Sequence, residues 1–270
     1  MTQTGLFHNS FLYASGVDIG AKRASNQDEV VCCPEYGFFA VSDGMGGLYG
    51  GGETSAMIAK ALPGLIGEAY EKLEKDICPE RAAELLNEQA SMISDNIYEK
   101  MNSGGNFTYG ATLCGVWLTG GHAVFVNIGD SRGYWLGDYE KHIRQITNDH
   151  NVAAELVASG ELSREEARHH SSSAMLTRFV GMNSPALPDT FIQECRAGDR
   201  ILLCSDGLHG MVDDEHLTLL LRGSKNPDNV VNCLIDEANR AGGNDNISAV
   251  YIKILRLPDI MPVDGNEVLD

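Results

Sequence analysis

The sequence predicts an α+β layered fold in which antiparallel sheets are flanked by helix pairs. Three observations lead there. Periodic segments run in the order strands, two helices, strands, two helices, strand; no linker-like stretch divides them; and 43% of residues are apolar, enough for one substantial core. With 21% charged residues and glycines that show no repeat, disordered and collagen-like classes are excluded.

The elements follow in order. Alternating apolar residues predict strands at Phe11 to Ile19, Val30 to Cys33 and Gly37 to Ser42. Ile58, Leu62, Leu65, Ile66, Ala69 and Leu73 recur at helical spacing, with Pro63 expected to kink that helix or mark its start. Ala82, Leu86, Ala90, Ile93, Ile97 and Met101 predict a second helix. Short apolar runs at Ala111 to Leu118, Ala123 to Ile128, Gly133 to Leu136 and Ile143 to Ile146, broken by turn residues, predict an antiparallel meander.

The more polar stretch at about 151–188 reads as an inserted surface segment. It carries a helix at Val152 to Ser159 and a helix start at Ser163, with Glu166 completing a capping box. Strands at Phe191 to Cys195 and Arg200 to Cys204, helices at Asp213 to Leu221 and Asn226 to Arg240, and a strand at Ile247 to Leu255 complete the pattern. A single domain is expected over 1–257, with an acidic, frayed tail at 258–270.

Asp and Glu number 38 against 20 Lys and Arg, a formal charge of -18 that repels nucleic acid in the absence of a basic stripe. Most of that excess is a solvated surface; part of it suits cation ligands. The seven cysteines are odd in number and lie mostly in apolar runs, so they read as small buried hydrophobes rather than a disulfide framework. No lysine or arginine precedes Lys22 and no apolar stretch is long enough to span a bilayer, so a cytoplasmic location without a membrane span is expected.

Three apolar runs end in an aspartate followed by a small residue: Asp43-Gly44, Asp130-Ser131 and Asp206-Gly207. A carboxylate at a strand exit, beside a backbone that an ion can approach closely, is how a rigid sheet presents oxygen to a hard cation. Asp245 and Asp28 sit at strand entrances, which antiparallel pairing brings to the same rim. Any one of them is more often an Asx-turn or a cap; five together are not.

Oxygen ligands, with no histidine or cysteine at metal-ligand spacing, select Mg²⁺ or Mn²⁺. Two such ions roughly 3.5–4 Å apart share a bridging water and lower its pKa, a chemistry suited to phosphoester hydrolysis. No Gly-x-x-x-x-Gly-Lys-Ser/Thr loop occurs, and no cysteine is followed by an arginine six positions on, so P-loop and cysteine-nucleophile chemistries are excluded. The glycine cluster Gly44 to Gly52 reads as a tight turn that exposes the Gly44 carbonyl and starts a helix.

In order, Arg23-Ala-Ser-Asn-Gln-Asp28, Asp43-Gly-Met-Gly-Gly47, Gly110-Ala-Thr112, Gly129-Asp-Ser-Arg132, Thr147-Asn-Asp-His150, Leu176-Thr-Arg-Phe-Val-Gly181, Ser205-Asp-Gly-Leu208 and Asp245-Asn-Ile247 resemble the motif series of the bacterial-type protein phosphatase 2C, or PPM, family. The resemblance spans nearly the whole chain. It implies a four-layer α/β/β/α sandwich of two antiparallel sheets flanked by helix pairs, with a flap insertion, and metal-dependent hydrolysis of phosphoserine and phosphothreonine in proteins. Carried over by position, Asp43 bridges two Mn²⁺ or Mg²⁺ ions. Asp28 and the Gly44 carbonyl hold one side, directly or through water, and Asp206 and Asp245 the other; a third ion lies beside Asp130 and Asp206. Arg23 clamps the substrate phosphate, which suits its planar, permanently charged fork.

Two positions depart from the family pattern. Gln27 stands where many relatives have a glutamate ligand, and Met45 where animal members place a histidine as general acid. Phosphorylated proteins and a cognate serine/threonine kinase are the implied partners, and the protein is expected to be a monomer. His169 and His170 are expected to be solvent-exposed, and Asp149-His150 to shape the loop into the flap. Two rivals remain open: a catalytically silent relative, against which every core aspartate is retained, and a hydrolase of small phosphorylated metabolites.

Overall fold

The computed structural model describes residues 10–45, 50–73, 78–103, 109–168, 170–182 and 186–256. The predicted tail, His169 and the centre of the 44–52 glycine cluster lie outside them.

Among the described residues, ten strands form two sheets. The first contains β1 (Phe11–Asp18), β6 (Arg132–Leu136), β7 (Arg144–Gln145), β9 (Arg200–Cys204) and β10 (Ile247–Ile254), in the order β1-β10-β9-β6-β7. The second contains β2 (Asp28–Cys33), β3 (Phe38–Asp43), β4 (Leu113–Thr119), β5 (His122–Ile128) and β8 (Asp189–Glu194), in the order β2-β3-β4-β5-β8. Every pairing is antiparallel.

Strand alternation explains the layering. On β3, Phe38 and Ala40 face the helices α1 (Gly51–Leu73) and α2 (Pro79–Ile97), while Phe39 and Val41 face the other sheet. On β9 and β10, Ile201, Leu203, Val250 and Ile252 face the first group, and Leu202, Cys204, Ala249 and Tyr251 pack under α6 (Asp214–Gly223) and α7 (Pro227–Arg240). With both faces of each sheet covered, the strands read as continuous apolar runs, and the four-layer α/β/β/α architecture follows.

The predicted meander is corrected. β4 and β5 form one hairpin in the second sheet, β6 and β7 another in the first, and the chain crosses between sheets at Gly129-Asp130-Ser131. Period alone reports a strand and not its partner. Pro63 neither starts nor ends a helix: α1 runs through it, with Pro63 on the exposed side where the carbonyl it leaves unpaired can be hydrated. The second predicted helix closes in a π-helical turn at Tyr98–Asn102.

The residues at the predicted helix starts act as caps, of which only the box at Ser163 was expected. Asp213 accepts from His216 N at 2.8 Å, Asn226 from Asp228 N at 2.9 Å, and Asn151 caps α3 (Val152–Ala158) through Ala154 N at 2.9 Å. The box at Ser163 is reciprocal, Ser163 N donating to Glu166 at 2.8 Å and Glu166 N to Ser163 Oγ at 3.3 Å, and opens α4 (Arg164–Arg168). Two further short features were not predicted: the single turn α5 (Asp206–His209), and the exposure of Cys233, whereas Cys33, Cys114, Cys195 and Cys204 are buried. All seven cysteines are free thiols, and no helix among the described residues is long and apolar enough to cross a membrane.

Candidate active site

Register brings the acids together. Asp28 opens β2 directly opposite Asp43, which closes β3. Asp206 follows β9 by two residues, and because β10 runs antiparallel to β9, Asp245 enters at the same rim, two residues before Ile247. Asp130 lies on the crossover between the sheets, where Gly129 adopts φ 114° and a Cβ would stand 2.6 Å from Thr112 Cγ2.

Neutral side chains hold Asp28, Asp43 and Asp130 in place. Thr112 Oγ1 accepts from Asp43 N at 2.9 Å and is bonded to Ser131 Oγ at 2.6 Å, tying β3 to the crossover. Ser205 Oγ accepts from Ser248 N at 3.0 Å and donates to Asp28 Oδ2 at 2.7 Å. Asn246 donates to Ile19 O at 2.9 Å and Ser25 O at 3.0 Å and accepts from Gln27 N at 2.9 Å, so one side chain shapes the loop that carries Arg23 and Asp28. His209 Nε2 meets Asp130 O at 2.9 Å. The glycines beside the acids are required by close approach. A Cβ on Gly44 would stand 2.4 Å from Gly51 C, and one on Gly207 1.9 Å from Asn246 O.

Asp28 and Asp130 are buried, while Asp43, Asp206 and Asp245 keep part of their surface open at the rim. Desolvation pushes Asp43 well above the usual carboxylate range, and the charges of Asp28, Asp206, Asp130 and Asp245 push it further. Asp130 is raised in the same way, by desolvation and then by Asp206. Desolvation and the Asp245 charge push Asp206 up to about 6. Asp28 is raised mainly by desolvation, which its bond from Ser205 partly offsets. A cluster that resists ionisation by itself is one that a proton or a cation satisfies.

Oδ1 of Asp28 and Oδ1 of Asp206 are shut off from solvent with no hydrogen-bond donor. Oxygen-only acids with orphaned lone pairs fit a hard divalent cation. Among the described residues no three such groups already stand as a finished cage. Asp43 is instead within hydrogen-bond reach of Asp28 and Asp206, and Arg23 Nη2 binds Asp245 Oδ2 at 2.5 Å.

The structure thus gathers all the aspartates singled out in the sequence, Asp28, Asp43, Asp130, Asp206 and Asp245, with Gly44 and Arg23 beside them. The supporting Thr112, Ser131, Ser205 and Asn246 stand within the quoted motifs but carried no expected role, and His209 was not singled out. Ser131, Ser205 and Asn246 adjoin predicted acids, and with Thr112 they fall inside the motifs that carry the resemblance, which are the signals that pointed to them. Met45 N donates to Gly110 O at 2.9 Å, and a Cβ on Gly110 would lie 2.9 Å from Met45 Sδ and 2.8 Å from Phe179 Cδ2. A thioether and a flap aromatic therefore meet over Gly110, and neither carries a transferable proton.

Asp149 and His150 shape the loop into the flap, as expected. Arg132 grips Asp149 through Nε at 2.9 Å and Nη2 at 2.7 Å, which lowers the Asp149 pKa against the opposing effect of burial. His150 is buried, and His170, half-buried rather than exposed, accepts from Ser172 N at 3.2 Å.

Known proteins share this chain's sequence family and fold. The family model described as protein phosphatase 2C matches residues 20–225. The serine/threonine phosphatase stp of Listeria monocytogenes serotype 4b is 31% identical over 216 residues, covering 79% of this chain and 82% of that protein. The crystal structure of the Mycobacterium tuberculosis serine/threonine phosphatase PstP/Ppp superposes with a TM-score of 0.77 at 32% identity, over 91% of this chain and 99% of that one. A PstP catalytic domain solved in complex with two manganese ions has a TM-score of 0.71 at 30% identity, over 91% and 98%. With a full motif series, a matching sandwich and all five rim aspartates in place, this chain belongs to the protein phosphatase 2C family.

Proposed function

We propose that this protein removes phosphate from phosphoserine and phosphothreonine in proteins, in a reaction that depends on Mn²⁺ or Mg²⁺. The observation that carries the proposal is the convergence of five aspartates from separate strand ends, two of them with buried oxygens that no donor satisfies. Asp28, Asp43, the Gly44 carbonyl, Asp206 and Asp245 would hold two ions, and Asp130 with Asp206 a third. When bound, such ions lower the pKa of water and neutralise charge on the phosphoryl oxygens.

The chain's own residues do the rest. Arg23, half-exposed at the rim, binds the phosphate through its planar fork. Ser205 fixes the orientation of Asp28, and Thr112 holds the backbone of Asp43, so the strand ends that present the two carboxylates are set in advance. Met45 supplies no acid, and protonation of the leaving alkoxide falls to a group other than an imidazole at that position.

The domain extends over 1–257 with a flap at about 151–188. The partners are phosphorylated proteins and a cognate kinase, not nucleic acid. The protein works as a cytoplasmic monomer. The test is direct: the purified protein should hydrolyse p-nitrophenyl phosphate and a phosphothreonine peptide only with added Mn²⁺ or Mg²⁺, and lose both activities in EDTA and on Asp206→Ala. Metal-independent turnover would sink the proposal; preference for sugar phosphates over the peptide would redirect it to metabolites.

A further inference from the structure

One chain of hydrogen bonds joins the flap to the crossover that carries Asp130. The flap is rooted by a short antiparallel contact, Val152 N donating to Met175 O at 2.9 Å and Thr177 N to His150 O at 2.8 Å. Arg178, one residue further on, grips Asp189 with both ends of its fork, Nη1 to Oδ1 at 2.8 Å and Nη2 to Oδ2 at 3.2 Å. Asp189 opens β8 opposite Asn127 of β5, and its Oδ2 lies 3.0 Å from His150 Nε2.

The far side of the imidazole settles which nitrogen bears the proton. Gly129 N donates to His150 Nδ1 at 3.1 Å, so Nδ1 is the acceptor and Nε2–H the donor to Asp189. The neutral form agrees with burial, which lowers the His150 pKa. Gly129 is held on its other side too, its carbonyl accepting from His150 N at 3.0 Å and from Asn127 Nδ2 at 3.0 Å. The residue before Asp130 is therefore set by His150, and His150 by Asp189.

We propose that Asp189 is a positioning residue for the phosphatase reaction, coupling the flap, through Arg178, to the orientation of Asp130, through His150 and Gly129. A single carboxylate serves both arms, so a displacement of Arg178 at the flap root is felt at Gly129, beside the direct hydrogen bond that Asn151, at the start of the flap, makes to Asp130. The inference rests on the phosphatase activity proposed above. Arg178 and His150 both bond Asp189, which makes Asp189 the side-chain link between them, beside the backbone bond from Thr177 N to His150 O.

The test is a double-mutant cycle on the full chain with Mn²⁺ and a phosphothreonine peptide, comparing Arg178→Ala, His150→Gln and both together, in the parent and in Asp189→Ala. With Asp189 present, the combined effect on kcat/KM should differ from the product of the single effects by roughly tenfold; without it, the product should hold within about twofold. Loss of the Arg178 arm should fall on KM and loss of the His150 arm on kcat, whereas a role confined to stability lowers the active fraction and leaves KM unmoved. Where Asp189→Ala does not fold, Asp189→Asn keeps an acceptor for His150 and should abolish the Arg178 effect alone. Independent effects in the parent overturn the coupling. A parent protein inactive on every phosphate ester overturns the phosphatase assignment instead.

Discussion

Ser205 Oγ donates to Asp28 Oδ2 at 2.7 Å across 177 residues of sequence, from the end of a strand in one sheet to the start of a strand in the other. The same hydroxyl accepts from Ser248 N, so it has no freedom to turn away. Ser205→Ala removes the donor and leaves a buried carboxylate oxygen unpaired. The expected cost is about 1–3 kcal/mol, read from the urea midpoint at neutral pH in EDTA. An unchanged midpoint would mean that water replaces the hydroxyl.

Stability should depend on pH with an unusual sign. Asp28, Asp43, Asp130 and Asp206 all have folded-state pKa values raised above the unfolded value near 3.8, Asp206 to about 6. The folded protein then binds more protons than the unfolded one between these values. Their stability contribution is fully present below about pH 4 and is lost as pH rises through the folded values. Neutral buried His150 acts oppositely in this window, one group against four, while Asp149 and Asp189, with lowered values, act below it. The melting temperature in EDTA is therefore expected to fall from pH 4.5 to 7. Mn²⁺ should suppress the fall, and Asp43→Asn should flatten it; a rise over that range with metal removed would contradict the cluster.

Much of the site can be read directly from the sequence because it lies at the ends of periodic runs. Asp43 and Asp206 close stretches whose apolar alternation marks strands, and Asp245 and Asp28 open others, so antiparallel pairing alone predicts a shared rim. What cannot be read are the long-range partners. Ser205 meets Asp28 and Asn246 meets Ser25 across 177 and 221 residues, and no local pattern encodes such a contact. The division of β5 and β6 between sheets was missed for the same reason: the turn at Gly129 to Ser131 looks like a hairpin turn until its φ 114° glycine and the crossing are seen.

Arg132 and Asp149 form a mostly buried pair with side chains 18% and 11% exposed. Arg132→Met is expected to destabilise by about 3–5 kcal/mol, because Asp149 is left without its cation. The double variant Arg132→Met, Asp149→Leu should recover much of that loss. Denaturant midpoints of the three proteins check both statements, and a double variant worse than the single would count against the pair.

Gly207→Ala brings a methyl group onto Asn246 O, which a Cβ would approach to 1.9 Å. Overpacking of this kind costs about 1–3 kcal/mol. The backbone that must yield carries Asp245 on one side and the Asn246 staple on the other, so activity should fall further than stability. Comparing kcat with Mn²⁺ against the melting temperature separates the two, and a variant with unchanged kcat would show that this backbone can move freely.

Asp28 and Asp43 ride on one sheet and Asp206 and Asp245 flank strands of the other, with Asp130 on the bridge between them. The acidic rim is therefore a caliper across the sandwich. A slip of one residue between the stacked layers would shift half of the jaw by about 3.3 Å, more than the tolerance of any oxygen ligand. Phosphatase activity in this architecture reports, turnover by turnover, that two independently hydrogen-bonded sheets have stacked in register.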